Sequence, residues 1–189
     1  MAGFEPLDEV ERHRGFRFSV TRARFRGPDG AEFERDIVRH PGAVGVVPLH
    51  ADGTITLVRQ YRAALDDELW ELPAGIRDVD GEGDAATAAR ELREEVGLVA
   101  DEVEHLVTFH NSPGFCDESV AVFLATGLTE VERAPEGVEE ETMVVARLPM
   151  DEALAMVADG RITDAKTIIG LHAVTSRRDS SRAVDPAQG

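Results

Sequence analysis

Polar and apolar residues alternate along 16–40, FRFSVTRARFRGPDGAEFERDIVRH, on either side of Pro28-Asp29-Gly30. A period of two marks strands with one covered face, and Pro-Asp-Gly is turn chemistry. The stretch therefore predicts a β-hairpin whose arginines form a solvated face. His40-Pro41-Gly42 breaks the pattern. From Ala43, AVGVVPLHADGTITLVRQYRAAL predicts a second hairpin around Asp52-Gly53, its strands rich in β-branched residues. DELWELPAG follows as a strand, with Leu69, Trp70 and Leu72 at or near the core. Next comes a loop running into a helix: Asp84 is the expected N-cap, the alanine-rich segment favours helix, and Gly97 stops it.

Beyond that helix, EVEHLVTFH and SVAVFLATGL read as strands joined by the turn-rich Asn111-Ser112-Pro113-Gly114-Phe115, and EETMVVARL as another. MDEALAMVADG has helical spacing at Leu154 and Val157 and ends at Gly160, and AKTIIGLHAVTSRR forms a last helix. The tail from Arg178 has almost nothing to bury and is expected to be disordered. The pattern divides the chain into an N-terminal hairpin extension (1–41), a main α/β (α+β) domain (42–177) and a tail (178–189), without internal repeats.

Composition narrows the function classes. A chain of 189 residues with 42% hydrophobic content can build one proper core. No run approaches the roughly 20 apolar residues of a membrane span, and the first residues lack the apolar centre of a secretory signal, which predicts a cytoplasmic protein. The lone Cys116 excludes an intramolecular disulfide and a CxxC metal site. A net charge of −17 argues against nucleic acid as a partner, although an anionic substrate can still bind such a surface at a metal-filled site.

The chemistry concentrates on the first helix. At roughly 100° per residue, Glu91, Glu94 and Glu95 share one face, while Ala85, Ala89, Leu92 and Val96 gather on another. Glu91 and Glu95 repel each other at this spacing, and Arg90–Glu94 offsets only part of the conflict, whereas a bound cation would remove it. Hard divalent ions take oxygen ligands, and carboxylates one turn apart suit them. A solvated acidic face is the bland alternative for an isolated string of this kind.

The wider spacing resembles the Nudix box, G-x5-E-x7-R-E-U-x-E-E-x-G-U with U bulky and aliphatic: Glu82, Arg90, Glu91, Leu92, Glu94, Glu95, Gly97 and Leu98 match it. One departure is visible, since six residues rather than five separate Gly75 from Glu82. The extra residue lies in a loop, which leaves the carboxylate face in register and puts the loop's backbone contacts in question.

The resemblance, covering about residues 42–176, implies the Nudix fold, a mixed β-sheet sandwiched between helices. It also implies Mg²⁺ or Mn²⁺ held by the carbonyl of Ala74 and by Glu91, Glu94 and Glu95, with Gly75, Glu82, Arg90 and Gly97 as structural positions. QYR at 60–62, ELPAG at 71–75, SPG at 112–114 and Pro113, fifteen residues after Leu98, are similar to the ADP-ribose pyrophosphatase branch.

That likeness implies hydrolysis of ADP-ribose, or a related ADP-sugar, to AMP and ribose 5-phosphate. It places substrate at Arg59, Arg62, Glu71, Ser112, Pro113, Gly114, Phe115 and Glu118. The general base is expected in the loop RAPEGVEEET, at Glu140 ahead of Glu139 and Glu141, with Glu94 as the fallback on the helix. His110 and His172 read as structural, because the implied metal site is all oxygen. Phe16, Phe18, Val20, Phe25, Phe33 and Ile37 leave a two-stranded sheet without a second layer. The branch resemblance covers that face with a second subunit, giving a homodimer in which Phe18, Arg24 or Arg26 reaches the neighbour's site. Other nucleoside diphosphate derivatives (NADH, GDP-mannose, diadenosine polyphosphates) stay open as substrates, as does a non-catalytic ligand-sensing module. The intact glutamates speak against the module.

Overall fold

The computed structural model describes residues 3–135 and 141–183, those from 178 onward by backbone alone. The chain divides into two compact units, one made of the residues up to Gly42 with Phe109–Val120, the other of Ala43–Thr108 with the residues from Ala121 on.

The first unit holds three antiparallel strands rather than two: β1 (Glu5–Arg14), β2 (Ser19–Arg26) and β3 (Glu32–Arg39), in that order. β2 and β3 pair in register from Ser19↔Arg39 to Arg26↔Glu32, as the alternation predicts. β1 is the strand that alternation misses, since EPLDEVERHR carries charge on both faces and is exposed along nearly its whole length. Charge pairs clasp it instead: Arg24 binds Asp8, Arg26 reaches Glu5 at 2.8 Å, and Arg39 reaches Glu9 at 2.7 Å. The 109–120 segment adds Cys116 beside Val38, with the Val38 N–H donating to the Phe115 carbonyl at 2.7 Å.

The clasp predicts a pH response. Arg39 holds the Glu9 carboxyl down at about 2, with Thr21 assisting, and Arg24 pulls Asp8 below its ordinary value. Both folded values are depressed. The stability they carry is therefore complete above the unfolded carboxylate range of about 4 and is lost as pH falls from there through the folded values. Amide exchange followed by NMR should show β1 protected at about pH 5 and opening before β4 (Ala43–Pro48) as the pH drops. Equal protection of both strands at about pH 2 would contradict the clasp.

In the second unit, β4 lies in a four-stranded sheet of order β7-β4-β10-β9, where β7 is Ala74–Ile76, β9 Glu102–His110 and β10 Ser119–Thr126. A three-stranded sheet has the order β12-β5-β6, with β5 Thr54–Arg62, β6 Asp67–Glu71 and β12 Val144–Pro149, and the short strands β8 (Leu98–Val99) and β11 (Thr129–Glu130) pair with each other. The expected hairpin at Asp52-Gly53 is real only at its tip. The Leu49↔Ile55 bridge closes it, after which β4 and β5 part into different sheets. Likewise DELWELPAG is two strands. Pro73 has no N–H to continue a ladder, and at this corner the chain leaves β5 as partner and joins β4. Leu72 is fully buried, and Leu69 and Trp70 are half-buried.

Helix α1 (Asp84–Val96) and helix α3 (Ala165–Ala183) both pack on β4, which gives the α+β architecture of sheet between helices, and α2 (Met150–Ala158) lies against α3 and β12. The core gathers Val44, Val46, Val58, Leu92, Phe123 and Met143. Three expectations need correcting. Gly83, not Asp84, is the N-cap of α1, because the Asp84 carboxylate turns back to Arg77 at 2.7 Å. On α2 the fully buried residues are Met150, Ala153 and Met156, with Leu154 and Val157 half-buried beside them. Finally, α3 continues to Ala183 rather than stopping at Arg178, since no glycine or proline lies between Arg178 and Pro186 and each further residue adds a hydrogen bond. Among the described residues no helix is long and apolar enough to cross a membrane.

Candidate active site

α1 begins after Gly83, an extended N-cap, and ends at Gly97, whose φ of 65° is the left-handed conformation that glycine adopts without strain. Its buried arc is not the one that the apolar pattern alone suggests. Ala85 and Ala89 are exposed, whereas Ala88, Leu92 and Val96 are buried together with Thr87, Glu91 and Glu95. Glu91 is 6% exposed and Glu95 3%. Two carboxylates of the acidic face therefore point into the protein, towards the Ala74–Gly75 backbone.

The Ala74 N–H donates to Glu95 Oε2 at 2.9 Å. At Gly75 a Cβ would lie 1.9 Å from Glu91 Oε1, so only glycine lets strand β7 approach the helix this closely. The extra residue between Gly75 and Glu82 is absorbed beyond this contact. A turn closes Glu82 N–H onto the Val79 carbonyl at 3.1 Å with Gly81 at φ 81°, and Arg77 pairs with Asp84.

Arg90 ties the loop to the acids. Its guanidinium reaches Glu91 at 2.7 Å, Glu94 at 2.8 Å and Glu82 at 3.3 Å. Burial works against the Arg90 charge, but the hydrogen bond to Glu82 and the charges of Glu91 and Glu94 outweigh it and raise its pKa further. Glu82 also accepts from Thr87 Oγ1 at 2.8 Å, and that bond, with Arg90, lowers its pKa.

The donor chemistry suits a hard divalent ion, since two nearly buried carboxylates and a third beside them offer only oxygen. In this arrangement Arg90 bridges Glu91 and Glu94, and among the described residues no three carboxylate, histidine or cysteine side chains converge closely enough to hold a metal by themselves.

The remaining candidates divide between the units. Arg62 grips Glu71 through two hydrogen bonds of 2.6 Å each, and Lys166 binds the same carboxylate. Glu71, placed by the resemblance among the substrate positions, is 1% exposed and both its oxygens are engaged. Burial raises its pKa, and the two cations more than reverse that effect. Arg59 pairs with Glu68 at 2.9 Å and lies 5.8 Å from the Trp70 ring, an ordinary surface arrangement. In the first unit, Pro113, Gly114 and Phe115 line an apolar groove of about 470 Å³ with Phe25, Phe33 and Ile37. Ser112 there accepts the Phe115 N–H at 3.1 Å, and Glu118 accepts from Asn111 at 2.7 Å. His110 contacts the Glu118 carbonyl and His172 is exposed on α3. Glu141 is exposed just ahead of β12, and Glu139 and Glu140 lie outside the described residues.

Sequence reasoning missed Lys166, Asp164 and Thr167. The signal was present, because Lys166 is the chain's single lysine against 19 arginines and Asp164 with Thr167 has the spacing of a helix N-terminus.

A NUDIX domain model matches residues 39–169, and the chain belongs to the Nudix family. It is 44% identical over 185 residues to an ADP-ribose pyrophosphatase of Mycobacterium tuberculosis, covering 96% of this chain and 89% of that one. To an ADP-ribose pyrophosphatase of Bacillus subtilis it is 41% identical over 140 residues, 74% and 75% of the two chains. A crystallised ADP compounds hydrolase shares the fold with a TM-score of 0.83 at 22% identity, over 97% of this chain and 98% of that one.

Proposed function

We propose that this chain hydrolyses the pyrophosphate bond of ADP-ribose to AMP and ribose 5-phosphate at the carboxylate face of α1. The observation that carries the proposal is the burial of Glu91 and Glu95 against the Ala74–Gly75 backbone. Buried carboxylates are costly unless something repays their desolvation, and a function that needs their charge explains why they are retained. Mg²⁺ or Mn²⁺, a divalent ion being the general requirement of Nudix hydrolases, would screen the pyrophosphate oxygens and lower the pKa of an attacking water. Ala74, Glu91, Glu94 and Glu95 are the residues that would hold it.

The chain's own contribution is orientation. Arg90 fixes Glu91 and Glu94 relative to the loop, and the Ala74 N–H fixes Glu95. Ser112, Pro113, Gly114, Phe115 and Glu118 are assigned to substrate binding; within their own unit, Pro113, Gly114 and Phe115 line the apolar groove. Arg62 and Arg59 are assigned to the phosphates, Arg62 while bound to Glu71. Product analysis across a panel of ADP-ribose, NADH, GDP-mannose and diadenosine polyphosphates tests the reading. AMP and ribose 5-phosphate should form fastest from ADP-ribose and only with a divalent ion present; a different preferred substrate would overturn it.

The functional unit in this reading is a homodimer. Phe16 is 95% exposed and Phe18 nearly half exposed, which leaves aromatic surface for a second copy. Arg24 and Arg26 are already paired within their own sheet, so Phe18 is the remaining candidate to reach a neighbour. Light scattering should give twice the chain mass, and Phe16→Asp should shift it toward monomer without unfolding the chain. A monomeric wild type would end this part of the proposal.

A further inference from the structure

Four consecutive residues at the corner between β6 and β7 are each held from a different direction. Glu71 is bound by Arg62 and Lys166, the Leu72 N–H donates to Thr167 Oγ1 at 2.8 Å, the Pro73 carbonyl accepts the Val46 N–H at 2.9 Å, and the Ala74 N–H donates to Glu95. Two of these four anchors come from the first turn of α3. Asp164 organises that turn, accepting from the Thr167 N–H at 2.9 Å and its hydroxyl at 2.6 Å, while lying 3.2 Å from Lys166 Nζ. Thr167, Leu72 and Glu71 are essentially inaccessible to solvent. The Lys166 stem passes over Gly45, where a Cβ would sit 3.7 Å from its Cδ, and Gly45 is the register partner of Ala74.

Lys166 is thus committed to carboxylates on both sides and acts on the α1 site through the backbone. We infer that Lys166, with Thr167, is a positioning residue that holds the Glu71–Ala74 corner so that Ala74 meets Glu95 in a geometry able to bind a divalent ion. The inference rests on the proposed metal site. It extends that site to a helix that contributes no ligand.

The consequence is measurable without substrate. Removing an outer partner of a metal ligand costs roughly 10- to 100-fold in metal affinity, and Mn²⁺ binding followed by electron paramagnetic resonance reads that directly. Lys166→Met leaves Glu71 buried with one cation fewer and so threatens folding; the double variant Glu71→Gln/Lys166→Met removes the buried carboxylate together with the lysine, and the Arg62 it frees is 40% exposed and can turn to solvent, so it is expected to keep the fold.

Both variants should bind Mn²⁺ at least about tenfold more weakly than wild type, the double variant with a melting temperature near wild type, and Lys166→Arg should recover part of the affinity. A purely structural lysine would instead lower the melting temperature and leave Mn²⁺ affinity unchanged, which would overturn the inference. Wild type that binds no Mn²⁺, or binds it equally after Glu95→Gln, would overturn the metal-site reading itself. The two failures are therefore distinct.

Discussion

Glu95→Gln is expected to lose most turnover while melting no lower than wild type. Glu95 is 3% exposed and accepts the Ala74 N–H, and a glutamine oxygen can still accept that bond. What the substitution removes is a charge, one helical turn from Glu91, that the apo protein holds at a cost. Glu95→Ala differs, because it strands a buried backbone donor and should destabilise by about 1–3 kcal/mol. Thermal melts with and without Mg²⁺ separate charge from hydrogen bond: the ion should raise the melting temperature of wild type by linkage and leave that of Glu95→Gln where it was. Glu82→Gln should be milder, since the Glu82 carboxylate is bound to Thr87 and Arg90 and serves to hold the loop. Wild-type turnover of Glu95→Gln at limiting Mg²⁺ would remove Glu95 from the metal site.

The second large effect concerns the general base. Of Glu139, Glu140 and Glu141, one substitution to glutamine, expected at Glu140, should lower kcat by about 10² to 10⁴, the range for losing a positioned base, and leave the other two nearly silent. The alternative on the helix, Glu94, has one carboxylate oxygen bound to Arg90 at 2.8 Å, a cation that favours its charged form and so weakens it as a base. Steady-state kinetics at saturating metal decide between them. Three silent loop variants would assign the base to Glu94.

The residues that were legible in the sequence are those whose neighbours are local. The α1 helix and its end at Gly97 follow from alanine content and a left-handed cap, and β2 and β3 follow from strict alternation. The box spacing singles out Glu91, Glu94 and Glu95 as candidates without any view of the fold. What escaped was set by partners far along the chain. β1 has no apolar face, and only the arginines of β2 and β3 reveal why it is a strand. An acidic helix face reads as solvated until β7 is laid on it, so the burial of Glu91 and Glu95 inverted the expected wheel and with it the expectation that Glu95 faces away from the core. Glu71 read as a substrate contact because its two cations sit nine and 95 residues away.

The contact between β7 and α1 also has a practical side. With the Ala74 N–H bound to Glu95 and Arg77 bound to Asp84, the exposed residues Asp78, Val79 and Asp80 form a short loop between two fixed ends. A short peptide epitope spliced between Asp78 and Val79 would leave the Val79–Glu82 turn closed and the spacing of the α1 carboxylates unaltered, which makes this loop an attachment point for an antibody or a fluorophore beside the proposed site.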